Sequence, residues 1–234
     1  MFTETFGFKS FSIEHGICFL LTLFVLIACV LVGRRQSFTT AYRLGLSLAW
    51  AACGFQTVWM LHKGANGTFS IQENFPLHLC NVCSLLSPFL VMPLRKGVTL
   101  PFEILYYWVL TGTLQGILTP DMDFAFPYIG YVKYWVTHSG LVILVLYGVL
   151  VLQVRPSWNG VKMAFLAIQV WACIALIFNY LTGSNYGYLM HKPSNGSLFD
   201  YCGDHYILVA QVAFWCLFCL FWLPFRSAKQ PTVI

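Results

Sequence analysis

Charge is scarce in this 234-residue sequence: Asp, Glu, Lys and Arg make up 9% of it, against 59% apolar and 18% aromatic residues. A soluble domain carries roughly 25% charged residues, so the composition excludes that class and points to an integral membrane protein. Polar stretches long enough to fold separately are absent, as are repeats and low-complexity tracts, and residues 1-234 read as one membrane domain. No small-residue cleavage site follows a short hydrophobic core near Glu4, Lys9 and Glu14, so a cleaved signal peptide is not expected. HxxxH and HExxH spacings are also missing, which leaves a zinc hydrolase without its usual helical ligand pair. With no basic or acidic run, the net charge of +5 gives no reason to invoke nucleic acid.

What the sequence does have is apolar segments of membrane-spanning length, bounded by charges, Pro, Gly or Asn. They fall at about 16-33, 42-62, 77-94, 102-119, 132-154, 161-182 and 205-223. The expected fold is therefore all-α, a polytopic bundle of seven transmembrane helices in a lipid bilayer. Lys and Arg accumulate on the cytoplasmic side of short loops. Arg34, Arg35, Arg43, Arg95, Lys96, Arg155, Lys162, Arg226 and Lys229 fall on one side of this arrangement, and only Lys9, Lys63, Lys133 and Lys192 on the other. The alternation predicts an outer N-terminus and a cytoplasmic C-terminus, in the inner membrane if the source is a bacterium.

Sorted by side, the polar residues are lopsided. All six histidines, His15, His62, His78, His138, His191 and His205, map to the outer layer, with Gln115 and Asn179 at similar depth. The inner halves contain nothing comparable, which predicts an outward-facing polar pocket. The plainer reading is that these groups are interfacial or satisfy one another as interhelical hydrogen bonds.

The stretch "FPLHLCNVC", residues 75–83, opens the third segment. Pro76 suits the first turn of a helix, so Cys80 is expected within a turn of an outward N-terminus, where free amides and the helix dipole favour a thiolate while burial in apolar surroundings opposes it, water access deciding the sign. Cys83, a turn deeper, reads as a packing residue. His138 is the nearest candidate base, because it lies at matching depth on the fifth segment, and a Cys and a His so placed can form a nucleophile-base pair. A buried structural cysteine is the alternative. Asp121, in "GILTPDMD", offers a carboxylate at the pocket mouth that either orients a histidine or is solvated. The segment from Asn179 to Tyr206 is rich in Gly and Tyr and reads as a lid, in which Asn185, Tyr186 and Lys192 join His78, Gln115, Asp121 and Asn179 as candidate substrate contacts. An ordinary loop with interfacial Tyr anchors would look the same.

Taken together, "PLHLCNVCSLLSP", "GTLQGILTPD", "THSGLVILVLYG" and "NYLTGSNYGYLMHKP", with "IEHG" before them and "YILVAQ" after, resemble in order and spacing the YwaF-like membrane proteins, bacterial relatives of transmembrane protein 164. The resemblance runs over nearly the whole chain. It implies a seven-helix bundle, and its animal members look like acyltransferases acting on phospholipids with a cysteine nucleophile and a histidine partner. The matching positions are Cys80 and His138. Gln115, Asn179 or His78 would then steady the oxyanion, no cofactor or metal would be needed, and membrane phospholipid or another acyl lipid would be the partner. Other readings remain open: a thiol-disulfide enzyme using Cys80, Cys83 and Cys202, a metal-dependent hydrolase using His78, His138, His191 and Asp121, or a transporter or small-ligand receptor.

Overall fold

A computed structural model describes residues 8–122, 124–193 and 198–227. Glu4, Lys229 and residues 194–197 of the expected lid lie outside the described residues. The fold is helical, with no strand among the described residues. In chain order the helices are α1 (Ile13–Arg34), α2 (Phe38–Ala65), the single turn α3 (Ile71–Asn74), α4 (Leu79–Val91), α5 (Leu100–Trp108), α6 (Leu114–Leu118), α7 (Ile129–Leu150), α8 (Trp158–Thr182) and α9 (Tyr206–Trp222).

Among the described residues, five helices are long and apolar enough to cross a membrane: α1, α2, α7, α8 and the stretch Asp200–Phe225 that contains α9. The third and fourth apolar segments are built differently. α4 has 13 residues, with Pro88 inside it, and tightens into a 3₁₀ turn over Met92–Lys96 with Pro93 near its start. The fourth is continuous but joins α5 to α6 through a π-helical turn, Val109–Thr113. The helix expected from 77 begins instead at Leu79, because Pro76 lies in the preceding turn and His78 takes the cap position.

Polar caps set the helix starts. Ser12, Ser37 and Ser157 each accept a first-turn N–H of α1, α2 and α8, a contact typically worth about 1 kcal/mol. α7 is the central helix, packed against α1, α2, α4, α5 and α6. Its Tyr147 is almost fully buried and lies where Gly33 and Gly45 leave space, so α1 and α2 close on the ring and its hydroxyl donates to the Ala41 carbonyl at 3.0 Å. Close packing of this kind holds helices together in lipid, where burying apolar surface gives no advantage over facing acyl chains. The opposite face of α1 leaves Leu20, Phe24, Ile27 and Leu31 exposed, as a bilayer requires.

The two ends of the bundle differ. At one end, Tyr42 donates to the Met92 carbonyl, Tyr106 to that of Phe221, and Arg34 to that of Leu150. The basic residues in or next to the loops of this end, among the described residues, are Arg34, Arg35, Arg43, Arg95, Lys96, Arg155, Lys162 and Arg226. Contrary to expectation, this half does hold a buried polar group. The Glu103 carboxylate, 2% exposed, accepts from Thr99 Oγ1 at 2.7 Å and from the backbone N and Oγ of Ser157 at 2.8 and 2.6 Å. These donors spend it on the α5–α8 contact. The opposite end gathers the start of α4, α7 and α9 with the close of α2, α6 and α8 around a cavity.

Candidate functional site

The cavity measures about 670 Å³, within the range of small-molecule sites, and its wall includes Cys80, His138, His78, Gln115 and Asp121. Its position at the helix ends that carry the histidines agrees with the pocket expected from the polar residues.

Cys80 is the second residue of α4, closer to the helix start than the sequence suggested. The turn before it is fixed to α8 from outside: Trp171 Nε1 donates to the Leu77 carbonyl at 3.1 Å, and Phe75 stacks on Phe178 with centroids 4.7 Å apart. The Asn81 and Val82 amides close on the His78 carbonyl at 2.9 and 3.0 Å, and the sulfur lies in the first turn, at the positive end of the helix dipole. Cys83 is fully buried and does not line the cavity. Both thiols are free.

His138 is a buried residue of α7 whose Nδ1 lies 2.8 Å from the Tyr134 carbonyl. A carbonyl oxygen only accepts, so Nδ1 carries the proton and Nε2 is the bare nitrogen. Nε2 has no hydrogen-bond partner among the described residues. The imidazole stacks on the Tyr134 ring at 4.0 Å and 19°, while the Tyr134 hydroxyl donates to the Gly116 carbonyl at 2.6 Å. Gly116 gives this pair room, since a Cβ there would sit 2.9 Å from His138 Cδ2 and 3.1 Å from Nε2. The ring is thus held in one orientation and one tautomer, with its basic nitrogen available.

Asn81 and Lys133, polar groups of the wall, were not among the expected site residues. Asn81, 7% exposed, places Oδ1 where it accepts from Lys133 Nζ at 2.9 Å and from the Cys80 thiol at 3.8 Å. Lys133 had counted only as a sign of orientation, yet its side chain lines the cavity. A lysine five residues before His138 on one apolar helix was the available signal. The π-helical turn, which brings Thr111 and Gly112 to the wall, has no clear sequence mark beyond Gly112.

Of the remaining expected residues, Gln115 and His78 line the cavity with side chains that make no hydrogen bond among the described residues. His78 packs edge-on against Tyr186 at 4.9 Å. The Asp121 carboxylate accepts from the Tyr188 hydroxyl at 2.6 Å, so it ties the α8–α9 loop to the cavity mouth and orients no histidine. Burial, with Asp121 as the second cause, holds the Tyr188 phenol well above the usual tyrosine range. Asn179 is 1% exposed and away from the wall. Its amide donates to the Tyr186 carbonyl and accepts from the Tyr186 N–H, which shapes the loop. Asn185 ties its amide to Met190 and His191, Tyr186 donates to the Ile71 carbonyl, and Lys192 lies 5.7 Å over the Tyr206 ring. These four residues build the loop over the cavity and lie outside its lining. Among the histidines, His15 clamps α1 to α6 through the Ile117 carbonyl at 2.8 Å, and His62, His191 and His205 are exposed. No group of three or more His, Cys, Asp or Glu side chains able to hold a metal ion occurs among the described residues.

No solved structure matches this chain. Its sequence is 27% identical over 225 residues to an "Uncharacterized protein" of Treponema pallidum (strain Nichols), covering 96% of this chain and 91% of the relative. A family profile also matches residues 10–222, nearly the whole bundle, and on that match the chain is a multi-pass membrane protein that belongs to the TMEM164 family.

Proposed function

We propose that this protein is a lipid acyltransferase in which Cys80 is the nucleophile and His138 the general base. The observation that carries the reading is the bare Nε2 of His138, set by the bond from Nδ1 to Tyr134, in the wall of the same cavity as Cys80 at a helix start. In the reaction His138 Nε2 takes the thiol proton and the Cys80 sulfur attacks the ester carbonyl carbon of a lipid acyl chain. As the carbon–oxygen bond breaks, the proton passes from Nε2 to the departing alkoxide and a thioester remains. A lysolipid hydroxyl then gives its proton to Nε2 and attacks the thioester carbonyl, and the expelled sulfur recovers that proton. Water in place of the lysolipid would make the enzyme a lipase. Gln115 and His78, with uncommitted side chains in the wall, are the donors available to the oxyanion. Asn179 is committed elsewhere and drops out of that role.

The same reading takes the α4 and α5–α6 segments as spans too, giving seven, with the cavity end outward and the basic end cytoplasmic. In a bacterium this is the inner membrane. The direct test is a thiol-directed lipid probe incubated with the purified full-length protein, followed by peptide mapping. Selective modification of Cys80 among the nine cysteines is the expected result, and modification spread over all exposed thiols is the result against it.

A further inference from the structure

Among the described residues, Lys133 is a cation without a counterion. Its Nζ is bonded to the neutral amide oxygen of Asn81 at 2.9 Å, and no carboxylate pairs with it among the described residues. Two acids line the same cavity. Asp121 is engaged by Tyr188, and Glu73 makes no bond to Lys133. A lysine in an apolar bundle normally pairs with a carboxylate or marks a ligand path, because an isolated ammonium away from water is costly. Asn81 occupies one donor direction and leaves the others to the cavity. The site therefore has the charge and the geometry to receive an anion.

The position narrows the anion. Asn81 Oδ1 accepts from both Lys133 and the Cys80 thiol, so ammonium and sulfur are near neighbours across one shared atom. In a glycerophospholipid only glycerol carbons and bridging oxygens separate the phosphate from the ester carbonyl. An ammonium holding a phosphate oxygen at this distance from a sulfur leaves the ester carbonyl within the sulfur's reach. We propose that Lys133, braced by Asn81, is the binding site for the phosphate of a glycerophospholipid, and that this contact sets the ester against Cys80. The second half of the statement rests on Cys80 being the nucleophile. The phosphate site does not.

The test uses the full-length Cys80→Ala protein in detergent, so that binding is read without turnover. Dioctanoyl phosphatidylcholine, dioctanoyl glycerol and inorganic phosphate are titrated separately by native mass spectrometry. Adding Lys133→Met should weaken phosphatidylcholine binding about tenfold or more, the scale of a lost charge-assisted hydrogen bond, while dioctanoyl glycerol binding stays the same. Lys133→Arg should keep most of the affinity. Asn81→Asp gives Lys133 the carboxylate it lacks and should weaken phosphatidylcholine as Lys133→Met does, which protects the test against a variant that fails to fold. Unchanged phosphatidylcholine affinity in folded Lys133→Met overturns the proposal, and slower alkylation of Cys80 in a Lys133→Met protein that keeps Cys80 then assigns the lysine to the thiol instead. Binding of inorganic phosphate that depends on Lys133, with none of phosphatidylcholine, overturns the lipid assignment. Failure of the lipid probe to label Cys80, beside a Lys133-dependent lipid affinity, removes the acyl-transfer reading and leaves this one standing.

Discussion

His138 and Tyr134 are one turn apart on α7 and act as a unit: Nδ1 of the imidazole donates to the Tyr134 carbonyl at 2.8 Å while the two rings stack at 4.0 Å. Where many catalytic histidines take a carboxylate as orienter, here a backbone carbonyl and a π-face do the orienting. A carbonyl fixes the tautomer without stabilising the imidazolium as an ionised carboxylate would.

Gly116 is the neighbour on which this arrangement depends. A Cβ would press on the imidazole at 2.9 Å and on the Tyr134 hydroxyl at 3.1 Å, so Gly116→Ala forces the ring out of place. The variant should insert and fold, since α6 is otherwise regular, yet lose roughly tenfold to a hundredfold of acyl-transfer activity through misplacement of the base. Assays on detergent-purified protein with matched thermal denaturation curves check this. Unaltered activity in Gly116→Ala would mean that the position of His138 does not matter.

The Tyr188–Asp121 bond predicts a pH-dependent contribution to stability. Because burial and Asp121 raise the phenol's folded pKa, the neutral form is favoured on folding. Tyr188→Phe should therefore cost about 1–2 kcal/mol below the ordinary tyrosine value near pH 10, where the bond is intact in the wild type. Above that value the unfolded tyrosine ionises and the wild-type advantage shrinks. Denaturation curves of the two proteins should converge as pH rises from about 9 to 11. A gap that widens over that interval would contradict the assignment.

Much of the fold was legible because lipid exposes what water hides. Each apolar segment became helix, since unpaired backbone groups are not tolerated in hydrocarbon. The ends moved where local chemistry outweighed hydropathy, as at Pro76, which ended in a turn, and Ser37, whose cap starts α2 earlier than expected. The break in α5–α6 was illegible because a π-helical turn needs no special residue.

The site divided along similar lines. Depth along a helix is a one-dimensional quantity, and it brought Cys80, His138, His78 and Gln115 to one cavity. Which way a side chain points around the helix is not carried by depth, and there the reading failed to separate residues. Asn179 and Tyr186 have the depth and polarity of site residues, but the Asn179 amide is bonded to the Tyr186 backbone and the Tyr186 hydroxyl to the Ile71 carbonyl. Lys133 was missed because a basic residue near a helix end is ordinarily interfacial.

Reporter fusions test the topology. Fusions after Gly33, Arg95 and Arg155 should report cytoplasmic, and one after Asn66 should report exported, because the basic loops lie at the end opposite the cavity. Reversal at any two sites would break the alternation of the loops and with it the assignment of the cavity to the outer face.

The last expectation concerns coupling between Cys80 and His138, which line one cavity from α4 and α7. For acyl transfer each group is useless if the other cannot exchange the proton, so the two single losses should not add. Cys80→Ala should abolish activity and His138→Ala should remove nearly as much, on the order of a thousandfold or more. The double variant should be little worse than either. Cys83→Ala is the control: its sulfur is fully buried off the cavity, so it should cost about 1 kcal/mol of packing and leave most of the activity. Activity and thermal midpoints of the four variants, measured side by side, separate chemistry from folding. A folded, active Cys80→Ala protein would end the nucleophile assignment. A Cys83→Ala protein as inactive as Cys80→Ala would transfer support to a disulfide chemistry shared by the two thiols.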